Sequence, residues 1–228
     1  MDILLYKVMN MKIIIMSLSA ILFGVLTMSC QKDNKYPGNS MQEQIAAFPK
    51  EALNNAELNG LILMREEEKL AHDVYSALYD KWGMMIFNNI AGSEQTHTDA
   101  VLMLLEKYDI EDPASGNVAG VFRDTMLQRL YNQLLTNGNS SLLAALMVGA
   151  TIEDLDIYDL QNLIDNVDNQ DITFVYNNLL KGSRNHLRAF YGQIISNGST
   201  YNAQYISQQQ LEEIVNSPKE TGSWRKSK

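Results

Sequence analysis

Apolar residues recur every three or four positions over most of the chain, the spacing of helices that each bury one stripe. The first stripe, over 58–81, runs Leu61, Met64, Glu68, Ala71, Tyr75, Leu78. A second, over 85–108, runs Ile86, Ile90, Glu94, His97, Val101, Leu104, Tyr108. Phe122, Met126, Leu130 and Leu134 mark a shorter helix over 121–136. A long helix opens at the Ser140-Ser141 caps and continues to 167 with Leu142, Ala145, Gly149, Glu153, Asp156, Leu160, Leu163 and Val167 in line. The last, over 172–197, aligns Val175, Leu179, Ser183, His186, Phe190 and Ile194. Trp82-Gly83, Asn137-Gly138-Asn139 and Asn197-Gly198 close three of them, and 108–120, with Asp112-Pro113, Gly116 and Gly120, is a loop. The pattern predicts an all-α fold: four long helices with an extra crossover helix, a leader segment before them and a short tail segment over 201–215.

Each long helix has polar residues where its stripe asks for apolar ones: Glu68; Glu94 with His97; Glu153 with Asp156; His186 with Ser183. Burying a lone carboxylate costs several kcal/mol, so acids at one depth on all the long helices call for a shared compensating charge. Two metal ions supply it, with Glu68 and His97 on one, His186 and a second carboxylate on the other, and Glu94 and Glu153 bridging or capping. Carboxylates and imidazoles without thiolates suit iron or manganese. Glu-x-x-His on an inward face is a pairing that dinuclear helical proteins use, although Glu94 and His97 taken alone fit a simple hydrogen-bonded pair equally well. By the same period Glu66, Glu67, Lys69, Asp154 and Asp159 point toward solvent, and His72 lies at the rim. Arg184, Asn185 and Arg188 fit either contacts behind the ligands or an ion-pair patch.

Composition narrows the partners. Lys and Arg total 18 against 27 Asp and Glu, a net charge of -9, which disfavours nucleic acid. Residues 13–29 are apolar, follow lysines at 7 and 12, and abut Cys30, the sole cysteine. This reads as a signal segment over 1–30, with Met11 as an alternative natural start. Leu26-Thr27-Met28-Ser29-Cys30 resembles a bacterial lipoprotein cleavage box, with Thr27 where a branched aliphatic residue is usual. Lipidation of Cys30 would anchor the chain to the cell envelope; a secreted protein is the alternative. Residues 31–57 then form a tether and leader helix, 58–206 the bundle, and 207–228 a tail disordered from 218 onward.

The four-helix ligand set resembles the ferritin-like di-iron carboxylate proteins, whose pattern is Glu, Glu-x-x-His, Glu, Glu-x-x-His. Longer stretches are similar to a bacterial and archaeal family, the ferritin-like domain of unknown function 2202. They are Arg65-Glu66-Glu67-Glu68-Lys69-Leu70-Ala71, Asn89-Ile90-Ala91-Gly92-Ser93-Glu94-Gln95-Thr96-His97, Val148-Gly149-Ala150-Thr151-Ile152-Glu153 and Gly182-Ser183-Arg184-Asn185-His186. The resemblance implies a metal-binding four-helix bundle with Glu68, Glu94, His97, Glu153 and His186 as ligands. Ser183 departs from the pattern, standing where the second motif has glutamate, and Asp156 is the candidate to replace that carboxylate. Tyr75 resembles the tyrosine near the iron of many ferritins. The expected function is ferrous oxidation or peroxide and dioxygen chemistry at a dinuclear iron or manganese centre, in a monomer or homo-oligomer. A non-enzymatic envelope scaffold with a single-metal or degenerate site is the alternative, and a storage cage fits the tethered ends less well.

Overall fold

The computed structural model describes residues 40–116 and 118–222, and all the regular structure among them is helical. The helices are α1 (Met41–Ala46), α2 (Asn55–Trp82), α3 (Met85–Lys107), α4 (Thr125–Gly138), α5 (Leu142–Ile164), α6 (Gln170–Ser196) and α7 (Gln208–Asn216). Cys30 and the signal and tether segments before residue 40 lie outside the described residues.

Local chemistry sets the boundaries. Asn54 caps α2 by accepting from the Ala56 and Glu57 amides, while the Glu57 carboxylate returns to the Asn54 amide. The other Glu57 oxygen accepts from the backbone of Asp168 and Asn169, at 3.2 and 3.0 Å, which ties the start of α2 to the α5–α6 connection. At its far end α2 stops at Gly83, whose φ of 65° is left-handed and whose N–H reaches the Tyr79 carbonyl. With only Gly83 and Met84 between them, α2 and α3 form one hairpin. Helices α5 and α6 form a second. Contacts of α3 with α6 and of α2 with α5 close the four into a ring around a common core of aliphatic and aromatic side chains. Helix α4 lies across α2 and α5, α1 packs on α3 and α6, and α7 on α6. Among the described residues no helix is long and apolar enough to cross a membrane.

Three expectations from the apolar pattern are corrected. Helix α4 begins at Thr125, not 121, because Asp124 caps it through the Met126 and Leu127 amides. Its buried side is therefore Leu127 and Leu134, while Met126 is exposed and Phe122 packs from the preceding loop. Second, Glu66, Glu67, Lys69 and Asp154 are buried. Helical period alone cannot see what covers a face, and here the loop ahead of α4 and the segment ahead of α7 do so with hydrogen bonds of their own. The Glu66 carboxylate accepts the Arg123 and Asp124 amides; Lys69 bridges Asp73 and the Val118 carbonyl; Asp154 takes the Tyr201 hydroxyl and the Gln204 and Ile206 amides. Asp159 is only partly exposed. Third, the tail does not loosen at 218: Glu220 is seated on α6 by Arg184, Asn185 and Arg188.

Candidate metal centre

The four long helices bring Glu68 (α2), Glu94 and His97 (α3), Glu153 (α5) and His186 (α6) together inside the ring. Two triads result, Glu68 with Glu94 and His97, and Glu94 with Glu153 and His186, and within each the ligating atoms all lie within 4.8 Å of one another. Glu94 belongs to both. One of its oxygens lies 2.7 Å from His97 Nδ1 and the other 2.7 Å from His186 Nδ1. Glu68 approaches His97 Nδ1 at 3.2 Å and Glu153 approaches His186 Nδ1 at 3.4 Å. The two imidazoles lie near parallel with centroids 5.7 Å apart.

Helix geometry explains the convergence. Glu94 and His97 are three residues apart, so both project from one side of α3. Glu68 and Glu153 occupy buried positions on α2 and α5 that face them. The backs of the rings are also defined. His186 Nε2 lies 3.1 Å from Ser93 Oγ, which leaves Nδ1 to face the carboxylates. His97 presses its ring edge against Gly182, where any Cβ would fall inside contact distance of the imidazole. On the other side of the centre the Tyr75 hydroxyl donates to Glu153 at 2.6 Å, and its ring packs on Phe190. Phe190 fits there because Gly149 has no side chain to displace it.

Asp156 is buried and feels the charges of Glu68 and Glu153, but it stands outside both triads. The Ser183 hydroxyl donates to the Leu179 carbonyl one turn back on its own helix. The serine that touches a histidine of the centre is Ser93 instead. Its position beside Glu94 carried no periodicity signal of its own. Gly182 did carry one: a glycine in mid-helix, far from any turn, marks a close approach. His72 sits at the rim, bound to Asp73, and Arg184, Asn185 and Arg188 form an ion-pair patch with Glu220.

The electrostatics are those of a crowded acidic pocket. Burial pushes the Glu68 carboxyl from its ordinary 4.5 up to about 8, against the pull of His97. Burial likewise raises Glu153, and it raises Asp156 well above the usual range with the help of the Glu68 and Glu153 charges. Burial would raise Glu94 too, but the two histidines outweigh it and hold this carboxyl well below the ordinary value. His186 is raised to about 10 because Glu94 and Glu153 overcome the burial that opposes its charge.

Hydrogen bonding leaves this pocket incomplete. Glu68 Oε1, Glu94 Oε1, Glu153 Oε2, Asp156 Oδ2 and His186 Nδ1 are buried and complete no directed hydrogen bond. Glu94 Oε1 and His186 Nδ1 are close enough for one but are not aligned as donor and acceptor. Buried polar atoms are rarely left so, and the four that belong to the two triads suit a cation that several lone pairs can share. The donor set, oxygen and imidazole nitrogen, fits iron or manganese.

Comparison with known proteins places this architecture. The family model described as uncharacterized protein domain DUF2202 matches residues 57–218. Uncharacterized protein MJ0754 of Methanocaldococcus jannaschii is 54% identical over 182 residues, covering 80% of this chain and 98% of the relative. The crystal structure of the hypothetical protein MJ0754 is similar at a TM-score of 0.75 and 55% identity, covering 76% of this chain and 99% of that one.

Proposed function

The chain belongs to the DUF2202 family, and on that premise we propose that it is a ferritin-like dinuclear metal protein, with Glu68, Glu94 and His97 holding one ion and Glu94, Glu153 and His186 the other. The observation that carries this reading is the set of four buried, unsatisfied atoms of the two triads, one on each of the four long helices, with Glu94 turned toward both histidines. Iron bound there would supply one-electron redox chemistry toward peroxide or dioxygen, and manganese would supply related chemistry. The chain's own groups set the conditions. Ser93 holds the His186 ring with Nδ1 toward the carboxylates, Tyr75 orients Glu153, and the Phe87, Phe190 and Tyr75 rings keep that side of the centre dry. Asp156 is placed to contribute a further carboxylate or to hold a proton beside the centre. In the cell, the Cys30 segment supports an envelope-tethered protein, and the function we assign is ferrous oxidation or peroxide reduction.

Anaerobic loading with ferrous iron followed by elemental analysis tests the reading. Two ions per chain, one for each triad, are expected, with a rise in melting temperature on loading and a ferric absorption band after air is admitted. No bound iron or manganese and no change in melting temperature would overturn it in favour of a metal-free scaffold.

A further inference from the structure

The ligands are not equally shielded. The Glu68 and Glu94 side chains are 1% exposed and Glu153 0%, whereas His97 is 7% and His186 12% exposed. The exposed edges of both imidazoles give onto one open groove of about 1120 Å³ between α3 and α6. Its walls carry amides and hydroxyls, Asn89, Ser93 and Thr96 from α3 and Asn178 and Asn185 from α6, together with apolar Ile86 and Ile90 and the charged Lys181. Residues 219–222, with Lys219 and Glu220, form part of its rim.

Those rim residues are fastened with unusual completeness for a chain end. Arg184 grips the Glu220 carboxylate with two parallel bonds, Nε to Oε1 at 2.7 Å and Nη2 to Oε2 at 2.5 Å. Arg188 adds a third at 3.2 Å. Asn185, the neighbour of His186, takes both backbone groups of Glu220, accepting its N–H at 2.9 Å and donating to its carbonyl at 3.0 Å. Arg188 also holds Ser217, and Lys181 donates to the Gly222 carbonyl. Four polar side chains spaced along one face of α6, Lys181, Arg184, Asn185 and Arg188, are thus committed to one short segment beside the histidines.

We propose that the α3/α6 groove is the entry route for the small hydrated divalent cations that load the centre, and that Glu220, seated on Arg184 and Arg188, latches residues 219–222 along its rim. The cargo rests on the dinuclear reading above; the latch does not. The amides and hydroxyls of the groove can replace part of a cation's water shell as it approaches, Lys181 is engaged by the Gly222 carbonyl, and the buried acids beyond the imidazoles supply the attraction. Releasing the latch widens the mouth without touching a ligand.

The test uses cobalt(II) uptake by the metal-free full chain, followed by its visible absorption under stopped flow. Glu220→Ala and Arg184→Ala should each accelerate uptake roughly fivefold to tenfold, with the final stoichiometry unchanged. The two substitutions remove opposite charges, so rates moving in opposite directions would mark simple electrostatic steering and overturn the latch. Gly92 lines the groove, and a Cβ there meets nothing within 4 Å, so Gly92→Phe sets a ring over the mouth without crowding the fold and should slow uptake. Equal rates in all three variants overturn the route.

A second readout needs no metal. Carbethoxylation by diethyl pyrocarbonate, which attacks the neutral imidazole, is followed in the metal-free protein at one mildly alkaline pH. It should quicken at His186 in Glu220→Ala and Arg184→Ala, while His72, bound to Asp73 and not among the groove's lining residues, keeps its rate as the internal reference. Faster labelling of His186 with no cobalt uptake would retain the latch and overturn the dinuclear reading. Unchanged labelling overturns the latch whatever the metal does.

Discussion

Helix α2 buries two sets of charges within one turn of each other, and they are completed in different ways. On its outer side Arg65 forms a two-pronged bond to Asp112, Glu66 collects two backbone amides, and Lys69 lies between Asp73, the Val118 carbonyl and the Phe122 ring. Every one of these charges has its partners within the chain. On its inner side Glu68 meets His97 and Glu94, and one oxygen each of Glu68, Glu94 and Glu153 is left without a directed bond. The outer set is a fastening; the inner set has the character of a receptor. Burial alone does not separate them, since both sides are equally hidden from water. What separates them is whether the hydrogen-bonding capacity is used up.

The contrast can be broken from either side. The largest effect on stability belongs to the fastening: Lys69→Met breaks the buried pair with Asp73, leaving that carboxylate only His72 and the Gly120 amide, and should cost about 3 kcal/mol in denaturant unfolding, while metal stoichiometry stays that of the parent. A loss of bound metal in that variant would mean the two sides are not independent. On the inner side, Glu94→Gln removes the carboxylate common to both triads. It should weaken metal binding by more than the roughly 10–100-fold typical of partners behind the ligands. Ser93→Ala falls within that 10–100-fold range and should act on the His186 side alone, read as unequal affinities in a metal titration.

A gentler perturbation is pH. The Glu68 carboxyl titrates near 4.5 when unfolded and near 8 when folded, so its contribution to stability is full at acid pH and is lost as pH rises through that interval. His186, moved from 6.5 to about 10, contributes fully below 6.5 and loses that contribution as pH climbs toward 10. The melting temperature of the metal-free protein should therefore fall between about pH 5 and 9, and Glu68→Gln should flatten the lower half of the slope. The gain on adding metal should change in the opposite sense, growing with pH, because ligands must lose protons to bind. Parallel slopes with and without metal would count against a shared site. The smallest effect is that of Tyr75→Phe, about 1 kcal/mol in unfolding, with stoichiometry intact.

The sequence was most readable where one helix acts alone. The stripes located every long helix to within a few residues, and the polar interruptions Glu68, Glu94, His97, Glu153 and His186 are the residues the fold brings together. Readability failed where a second element decides the outcome. Glu66, Lys69 and Asp154 look solvent-facing on a helical wheel and are buried because irregular segments fold over them, and nothing in a 3.6-residue period reports a loop. Ser183 occupied the expected slot and turned to its own backbone. Ser93, one residue before a ligand, took up the contact with His186 because the approach of α6 to α3 determines it. Glu220 lay in a polar tail whose anchoring depends on three residues of α6 more than thirty positions away.

The glycines of the helices divide along the same line, with a practical consequence for anyone who wishes to make this protein hardier. Replacing helical glycine by alanine is a standard route to thermostability, worth about 0.4–1 kcal/mol where the backbone and the space allow it. Gly92 and Gly192 meet that condition, since a Cβ at either touches nothing. Gly149 and Gly182 do not: a methyl group there collides with Phe190 or with His97. The same substitution should therefore raise the melting temperature at the first pair and lower it at the second, so the cost of keeping two flexible residues in mid-helix is part of how the centre holds its shape.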